Sequence, residues 1–562
     1  MQTTDSRRLL PAFLAALSIL LLATVSTAVE TNAQASEVYV SDVVYPVTLD
    51  VDLRDLPRAH TWQPGDPIEV VPEGTVFDFG VEADLSWEDP VRQTASEGLA
   101  FSGRLLTNFQ GIPFGGGTPP DVVGDVGFNH YIGAVNASRF AIWDKIGQVL
   151  VGPTTLNTLW TANGGTAGSP CLDGDGDPIV QYDELANRWL LSEFDTTGNT
   201  FCIYISRTAD PVAGGWFVYA FSAPRFPDYP QYGVWPDAYY VSSFEAPDLG
   251  IYAFDRAKML VGAPATFQRF TIPALSGTSP RETRILPADH DGAVAPVFGQ
   301  PNVFARTVDN TQDNSNPNDR IELWEYHVDW TTPANSTFTN VQTLTPAPFT
   351  LLPCSPGIRD CVPQPGTTNL IDALFNRAMR RLAWRKFDDG ERMVVTQTVD
   401  AGGSIAGKRW WELRNSGALT EGAGWSIFQE GTYAPNSVER FMGSVAMNAN
   451  GDIALGYTAS DATSVLPAIR VTARRSGDPA GQMTMDELTI RGGVGVQTTS
   501  QRWGDYSSMN VDPANGKTFW YTNEIIQANG LWLTWIGAFR IDPLFIDGFE
   551  SGDTTAWTAS VP

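Results

Sequence analysis

Polar and apolar residues alternate along most of this chain, and the clearest example runs from Arg502 to Ile525. Two stretches with a period of two residues flank the sequence DPANG at 512–516, which is rich in the residues that tight turns require. Successive side chains of a strand point to opposite faces of its sheet. The alternation therefore predicts two strands joined into one β-hairpin with an aromatic face.

The same design recurs upstream, with three or four short alternating stretches in each unit and no convincing amphipathic helix. Equivalent strands return at intervals of about fifty to ninety residues, which is typical of radially stacked four-stranded sheets. The sequence therefore predicts an all-β fold, a β-propeller of seven blades, or of six if the fourth unit is irregular. A strand that begins at Phe101 is expected to complete the final sheet of the ring.

Composition along the chain separates the predicted propeller from its flanking segments. The first residues carry Arg7 and Arg8, then an apolar run, then small residues, which is the pattern of a secretory signal peptide. The apolar run is shorter than the roughly 20 residues of a membrane span, so we predict none. We divide the chain into a signal peptide (1–35), an acidic N-terminal β segment with a linker (36–100), the propeller (101–543) and a C-terminal tail (544–562).

The charge of the chain restricts its partners and its location. The 562 residues include 63 acidic and 36 basic side chains, which gives a formal net charge of -27. Such a charge argues against nucleic acid and against an anionic membrane surface as partners. It fits a secreted or cell-surface protein that stays soluble, or one that collects calcium.

The four cysteines predict two disulfides in an exported protein. Near neighbours are the expected partners, so we predict that Cys171 pairs with Cys202 and that Cys354 pairs with Cys361. The four histidines are scattered and none stands beside a cysteine pair, so the spacing predicts no zinc site.

A Gly-rich loop near the start of the second unit is a candidate calcium site. Asp173, Asp175 and Asp177 occupy alternate positions in the sequence CLDGDGDPIVQYD. Oxygen ligands at alternate positions of such a loop can face one hard cation, as in the first half of an EF-hand loop. The glutamate that completes an EF-hand is absent, so a solvated acidic turn is the alternative.

A second set of acidic residues lies close to the strands predicted to be innermost. Strand starts in a propeller surround one mouth of the central channel, where carboxylates, arginines and tryptophans could form a carbohydrate site. The alternative is structural, because an Asp ahead of a strand commonly binds nearby backbone amides. The candidate ligand-binding residues are Asp125, Asp237, Asp505, Arg440, Arg502, Trp235 and Trp503, and Asp177 belongs to the same pattern.

The basic stretch Arg377–Phe387 has a plainer interpretation. In a chain this acidic, ion pairs between blades account for its arginines better than an anionic ligand does. Sialidases are propellers with three ligand-binding arginines, but their arginine-isoleucine-proline motif is missing here. A serine hydrolase triad is excluded as well. The sequence GGSIA around Ser404 is similar to the turn that carries the nucleophile of such enzymes, and the triad histidine would have to come after it. The last histidine of the chain is His327, which comes before Ser404.

Several long motifs resemble those of an uncharacterised family of large secreted bacterial proteins with a propeller-like fold. They include GDVGFNHY, GVWPDAYY and RWGDYSSMNVDP, and the resemblance extends from about Pro119 to Phe539. It implies a fold and an extracellular location but no particular reaction. The final segment FIDGFESGDTTAWT is similar to a tail found on many secreted bacterial proteins, which implies sorting or retention at the surface.

These observations favour a secreted binding module that recognises an extracellular glycan or another envelope polymer at the mouth of the channel. A carbohydrate-active enzyme, either a hydrolase or a lyase, is the first alternative, because carboxylate chemistry needs no histidine or cysteine. A structural cell-surface protein and a protein partner remain open, and the sequence predicts no oligomeric state.

Overall fold

The computed structural model of the protein describes most of the chain after the predicted signal peptide. The described residues are 37–70, 86–95, 101–162, 164, 171–172, 174–195, 198–275, 283–297, 299–313, 316–351, 360–416 and 424–542. The predicted signal peptide and C-terminal tail lie outside these ranges. Among the described residues, none of the helices has the length and apolar character needed to cross a membrane.

Most strands of the described part belong to successive antiparallel groups, which we number one to seven in chain order. Their strands are, for group one, Val123–Val126, His130–Val135, Arg139–Asp144 and Val149–Thr155; for group two, Gly174–Asp183, Arg188–Asp195, Thr200–Ser206 and Trp216–Ser222; for group three, Asp228–Val234, Tyr239–Glu245, Asp248–Phe254 and Phe267–Pro273; for group four, Leu286–Asp291, Asn302–Val308, Arg320–His327 and Thr337–Leu344. The later strands are, for group five, Ala378–Phe387, Gly390–Asp400, Ala406–Asn415 and Trp425–Tyr433; for group six, Glu439–Met447, Ile453–Ser460, Ala468–Arg474 and Leu488–Arg491; for group seven, Ser508–Val511, Thr518–Ile526 and Trp532–Ile541.

The fourth strand of group seven comes from the other end of the propeller region. Gly103–Pro113 pairs antiparallel with Trp532–Ile541, so the two ends of the region share one sheet. This confirms the strand that was predicted to begin near Phe101. Pairing early and late segments in one sheet removes two exposed strand edges and closes the array.

The first strands of the groups form the inner wall of a ring. Each contacts the first strand of the next group, and that of group seven contacts that of group one. The first strands of groups four and five also form a parallel hydrogen-bonded pair, which extends from Ala288 with Leu382 to Asp291 with Arg385. The fold is therefore all-β and propeller-like, as the alternation predicted.

Aromatic side chains pack between neighbouring groups. Tyr131 of group one stacks on Trp520 of group seven with ring centroids 5.2 Å apart, and Phe201 of group two meets the edge of Tyr252 of group three at 5.0 Å. All four rings are almost fully buried. A four-stranded sheet is too small to bury both faces alone, so these contacts supply much of the core.

The N-terminal segment lies along the outer edges of the sheets. Tyr39–Val40 adds to the fourth strand of group three, Val47–Leu49 to that of group two and Arg92–Gln93 to that of group five. Asp89 accepts a hydrogen bond from the buried Arg409 guanidinium at 2.9 Å. The remaining short elements are the strand pairs Glu69–Val70 with Gly117–Thr118 and Asp360–Val362 with Ile371–Asp372, the α-helices Asn157–Thr161 and Arg256–Met259, and the 3-10 helices Leu53–Asp55, Asn310–Gln312 and Pro333–Asn335.

One predicted disulfide is confirmed. Cys171 and Cys202 are bonded, with their Cα atoms 5.8 Å apart, and the bond ties the approach to group two to its third strand. Cys361 is also disulfide-bonded. Its predicted partner, Cys354, lies outside the described residues, so that pairing stays a prediction.

Candidate functional site

The two ends of the ring differ in the side chains that they present. We call the end where the first strands begin the leading face and the end where they finish the trailing face. Contacts and electrostatic interactions bring together, at the leading face, side chains from every group except group six. This leading-face cluster consists of Asp121, Asp177, Asp228, Tyr229, Arg284, Arg377, Arg502, Asp505 and Tyr506.

The backbone of the leading face has an unusual conformation that recurs from group to group. Asp121, Asp177, Tyr229 and Met442 all have positive φ, between 42° and 52°, at or near the start of a first strand. This region is unfavourable for residues with a Cβ, most of all for large ones such as Tyr and Met. The pairing of the first strands of groups two, three and six is also irregular at this end. Such irregularities turn side chains away from their ordinary direction and are frequent beside functional sites.

Asp177 links three groups at the centre of the cluster. Its carboxylate Oδ2 accepts a hydrogen bond from the backbone N–H of Tyr229 and another from the hydroxyl of Tyr506, each at 3.1 Å. Its backbone N–H donates to Oδ1 of Asn136 at 3.2 Å. Because groups two, three and seven meet at this one carboxylate, its position is fixed from several sides.

Asp121 and Asp505 form a second pair across the junction of groups one and seven. Oδ1 of Asp121 accepts a hydrogen bond from the backbone N–H of Asp505 at 2.6 Å, and Oδ2 accepts one from Asn136 at 2.5 Å. Nη2 of Arg502 donates to Oδ1 of Asp505 at 3.1 Å, which holds that carboxylate beside a guanidinium. One acidic group is thus bound by neutral donors and its neighbour by a cation.

Arginines and tyrosines complete the cluster. The rings of Tyr229 and Tyr506 stack with centroids 5.0 Å apart. The guanidinium carbon of Arg377 lies 4.7 Å from the centroid of Tyr229, and that of Arg284 lies 5.8 Å from it. Nε of Arg377 donates to Asn376 at 2.9 Å. Cation–π contacts of this kind hold guanidinium groups in place.

Burial changes the protonation of the acidic members. It raises the pKa of Asp121 to about 7, and the Asp505 carboxylate adds to the rise. Burial also raises the pKa of Asp177 well above its usual value, with Asp121 as the next cause. The pKa of Asp228 is raised by burial too, although Arg284 opposes the effect. At neutral pH some of these carboxyl groups therefore keep a proton and are able to donate a hydrogen bond.

A pH titration of stability tests this protonation. The pKa of Asp121 is higher in the folded protein than the value of about 3.9 in an unfolded chain, so its contribution to stability is complete below pH 4 and is lost as the pH rises through 7. Asp121→Asn removes the titration, and asparagine tolerates positive φ. We expect the variant to lose less stability than the wild type between pH 5 and pH 8, by on the order of 3 kcal/mol, in urea unfolding. Equal losses in both proteins would contradict the raised pKa.

Three residues selected from the sequence pattern lie in the cluster. Asp177, Arg502 and Asp505 lie there, and their role in binding a ligand stays a prediction. Trp503 is adjacent to Arg502, but it is fully buried and its ring meets the edge of Phe441 at a centroid distance of 5.8 Å. It therefore belongs to the core beneath the cluster.

The other predicted residues lie elsewhere. Oδ2 of Asp125 accepts from the backbone N–H of Tyr182 at 2.7 Å, which is the structural role given as the alternative. The expectation that Asp237 opens an innermost strand is wrong: it follows the first strand of group three, at the trailing face. Trp235 is fully buried, and its Nε1 donates to the carbonyl of Gln300 at 2.9 Å.

Arg440 is held where groups five and six meet. Its Nε donates to Glu487 at 2.8 Å, its Nη1 donates to the carbonyl of Val438 at 2.6 Å, and its guanidinium carbon lies 5.2 Å from the ring centroid of Tyr433. These contacts account for its burial as part of the packing of group six against group five. They place it with structural ion pairs and apart from the leading-face cluster.

The calcium assignment stays a prediction. Asp173 and the side chain of Asp175 lie outside the described residues, and the carboxylate of Asp177 faces Tyr229 and Tyr506. Within the described part of the chain, no three or more His, Cys, Asp or Glu side chains are grouped so as to hold a metal ion.

Sequence reasoning missed four charged members of the cluster. Asp121, Asp228, Arg284 and Arg377 each precede or begin a first strand, in the sequences PPDVV, FPDYP, TRILP and NRAMR. A polar residue one to six positions ahead of each predicted first strand was the available signal. This signal was hard to use, because irregular strand pairing at this end makes the starts of first strands difficult to predict from alternation.

Comparisons with known proteins gave similarity to solved structures alone. No family model matches the chain, and no curated protein matches it. A protein of unknown function from Dyadobacter fermentans DSM 18053 aligns with a TM-score of 0.33 and 10% identity, over 78% of this chain and 100% of that chain. The WD40 domain of SCAP from fission yeast aligns with a TM-score of 0.31 and 9% identity, over 74% and 83%. A GH43 endo-arabinanase from Bacillus licheniformis aligns with a TM-score of 0.27 and 9% identity, over 63% and 93%.

Proposed function

We propose that this protein is a secreted seven-bladed β-propeller that binds an extracellular glycan at its leading face. The observation that carries the proposal is the convergence of four carboxyl groups, three guanidinium groups and two tyrosines from six of the seven strand groups. The cyclic contacts of the seven first strands support the number of blades.

The chemistry of the cluster suits a polyhydroxylated ligand. Each sugar hydroxyl both donates and accepts a hydrogen bond, and the cluster offers acceptors on carboxylates beside donors on guanidinium groups. The positive and negative side chains largely offset one another, which favours a neutral glycan over a strongly charged one.

Accessibility divides the cluster into two layers. Asp228, Arg502 and Asp505 are half-buried, whereas Asp121 and Asp177 are buried. We assign direct contact with the glycan to the half-buried residues. The buried carboxylates hold the backbone of the leading face in its strained conformation, which fixes the binding groups in advance.

A hydrolase or lyase acting at the same face is the second candidate. Asp121 has a raised pKa and neighbours Asp505, which is bonded to the Arg502 guanidinium. Two neighbouring carboxyl groups in different environments are the arrangement used for general acid and base catalysis. If the protein is such an enzyme, Asp121 donates a proton and Asp505 acts as the base or the nucleophile.

Retention by polysaccharides tests the proposal and separates the two candidates. The mature protein is run on native gels that contain neutral or acidic polysaccharides, with calcium or with EGTA, and released reducing or unsaturated ends are measured. We expect at least one neutral polysaccharide to retain the protein without product. Asp228→Asn and Asp505→Asn should each weaken retention roughly tenfold, because each removes an ionic hydrogen bond acceptor. Loss of retention in EGTA would support the calcium prediction.

The control is Asp42→Asn, which makes the same change at an exposed position on the outer edge of group three. It should leave retention unchanged. Formation of product that depends on Asp121 and Asp505 would favour the enzyme. Retention that survives both leading-face substitutions would refute a glycan site at this face.

A further inference from the structure

The trailing face carries a separate pair of charged side chains. Glu184 lies directly after the first strand of group two, and Arg385 lies near the end of the first strand of group five. Both reach Gly292, which follows the first strand of group four. Oε2 of Glu184 accepts from the backbone N–H of Gly292 at 3.0 Å, and Nη1 of Arg385 would be 2.3 Å from a Cβ built at this glycine.

The two side chains face each other without forming an ion pair. Their charges interact, since Arg385 lowers the pKa of Glu184, yet within the described residues no ion pair of 4.0 Å or less joins Arg385 to a carboxylate. Arg385 is only 6% exposed, and its Nε donates to the carbonyl of Met447 at 3.1 Å. One Nη atom of this buried guanidinium therefore lies against Gly292, the residue whose N–H donates to Glu184.

The neighbouring carboxylates are already engaged. Arg381 donates to Asp289 through Nε at 2.7 Å and to Asp291 through Nη1 at 3.1 Å and through Nη2. These two carboxylates therefore do not neutralise Arg385 by direct contact, but their negative charge disfavours an anion beside it. Burial, with Asp291 as the next cause, raises the pKa of Glu184 to about 8, so its carboxyl group offers both a donor and an acceptor at neutral pH.

We propose that Glu184 and Arg385 form a second sugar site, on the trailing face, that binds the vicinal diol of a neutral sugar. One hydroxyl accepts from the Arg385 guanidinium and the adjacent hydroxyl donates to the Glu184 carboxyl. A diol fits because it bridges an acceptor and a donor that are close together but not paired. Gly292 leaves room for the Arg385 guanidinium beside Glu184, since a side chain at this position would meet it.

The trailing-face site rests on the proposed function and extends it by adding a ligand site at the opposite end of the ring. An experiment can therefore refute either site while the other one stands. The probes are methyl β-D-glucopyranoside, methyl α-D-mannopyranoside and methyl β-D-galactopyranoside, with D-glucuronate as the anionic comparison. Binding is measured by saturation-transfer difference NMR on the mature protein. The variants are Glu184→Met and Arg385→Met, and Asp505→Asn tests the leading face.

We expect at least one methyl glycoside to bind and both trailing-face substitutions to weaken it roughly tenfold, because each removes one hydrogen bond to a charged or buried group. Glu37→Met and Arg104→Met make the same changes at exposed positions and should leave binding unchanged. Asp505→Asn should also leave it unchanged. Glu184→Met is the deciding variant if Arg385→Met loses its native circular dichroism.

Three results would overturn the proposal. Absence of binding by all three glycosides would remove the site. Binding that Glu184→Met leaves unchanged, or that only Asp505→Asn weakens, would assign the sugar to another part of the protein. Tighter binding of D-glucuronate than of the glycosides would show that Arg385 takes a carboxylate instead of a diol.

Discussion

Replacing Arg381 by methionine is expected to destabilise the protein by about 3–5 kcal/mol, the usual result of removing one partner from a buried ion pair. Arg381 is 4% exposed and lies between Asp289 and Asp291, which are also buried. The substitution leaves two carboxylates inside the ring without their cation. It also breaks the ion pairs that join group five to group four, as the sequence predicted for this basic stretch.

Urea unfolding followed by tryptophan fluorescence measures the effect. Arg104→Met is the matched control, because that arginine is exposed on the closing strand, and it should change the free energy of unfolding by less than about 0.5 kcal/mol. Adding Asp289→Asn and Asp291→Asn to Arg381→Met should restore part of the loss, since no unpaired charge then remains. A single variant as stable as the wild type would show that the pairs do not hold the two groups together.

Replacing Lys408 by methionine is expected to have the opposite effect and stabilise the protein. Lys408 is fully buried in the third strand of group five, and its Nζ makes one long hydrogen bond, 3.4 Å, to Thr398. Burial lowers its pKa to about 7. The charged form therefore costs the folded state on the order of 4 kcal/mol, at about 1.4 kcal/mol for each pKa unit. Methionine has a similar shape and removes this cost.

The pH dependence of the gain distinguishes this cause from better packing. The folded-state pKa lies below the unfolded value of about 10.4, so the wild type loses stability as the pH falls from 10 to 7, and the loss is complete below pH 7. The advantage of Lys408→Met in urea unfolding should therefore be largest at pH 6 and small near pH 10. An advantage that is the same at both values would contradict the assigned cause.

Much of the fold could be predicted from local pattern. Strand alternation and turn residues are properties of short segments, so the hairpin around 512–516 and the strand near Phe101 were found without a structure. The pairing of Cys171 with Cys202 was also predicted from a local property, because each cysteine was expected to bond to its near neighbour along the chain. The partner of the strand near Phe101 was also predictable, because a ring of repeats needs its last sheet completed.

The site was harder to predict because it depends on where each first strand begins. Asp177 and Asp505 were found because each lies just before or within an evident strand, whereas Asp237 was assigned to the wrong end of one. Positive φ at Asp121 and Tyr229, and irregular pairing beside Tyr229, change the direction of the side chains in a way that alternation does not reveal. Trp235 and Trp503 show a related limit of sequence patterns. An aromatic residue beside a polar one is compatible with a binding surface and with the core, and both tryptophans belong to the core.

Hydrogen–deuterium exchange tests the central claim, a glycan site on the leading face, most directly. The mature protein is compared with and without the polysaccharide that retains it most strongly on gels. We predict slower exchange in the peptides that cover 119–127, 226–232 and 500–508, and no change in those that cover 39–49 on the outer edge. Protection confined to the outer edge or to the trailing face would contradict the claim.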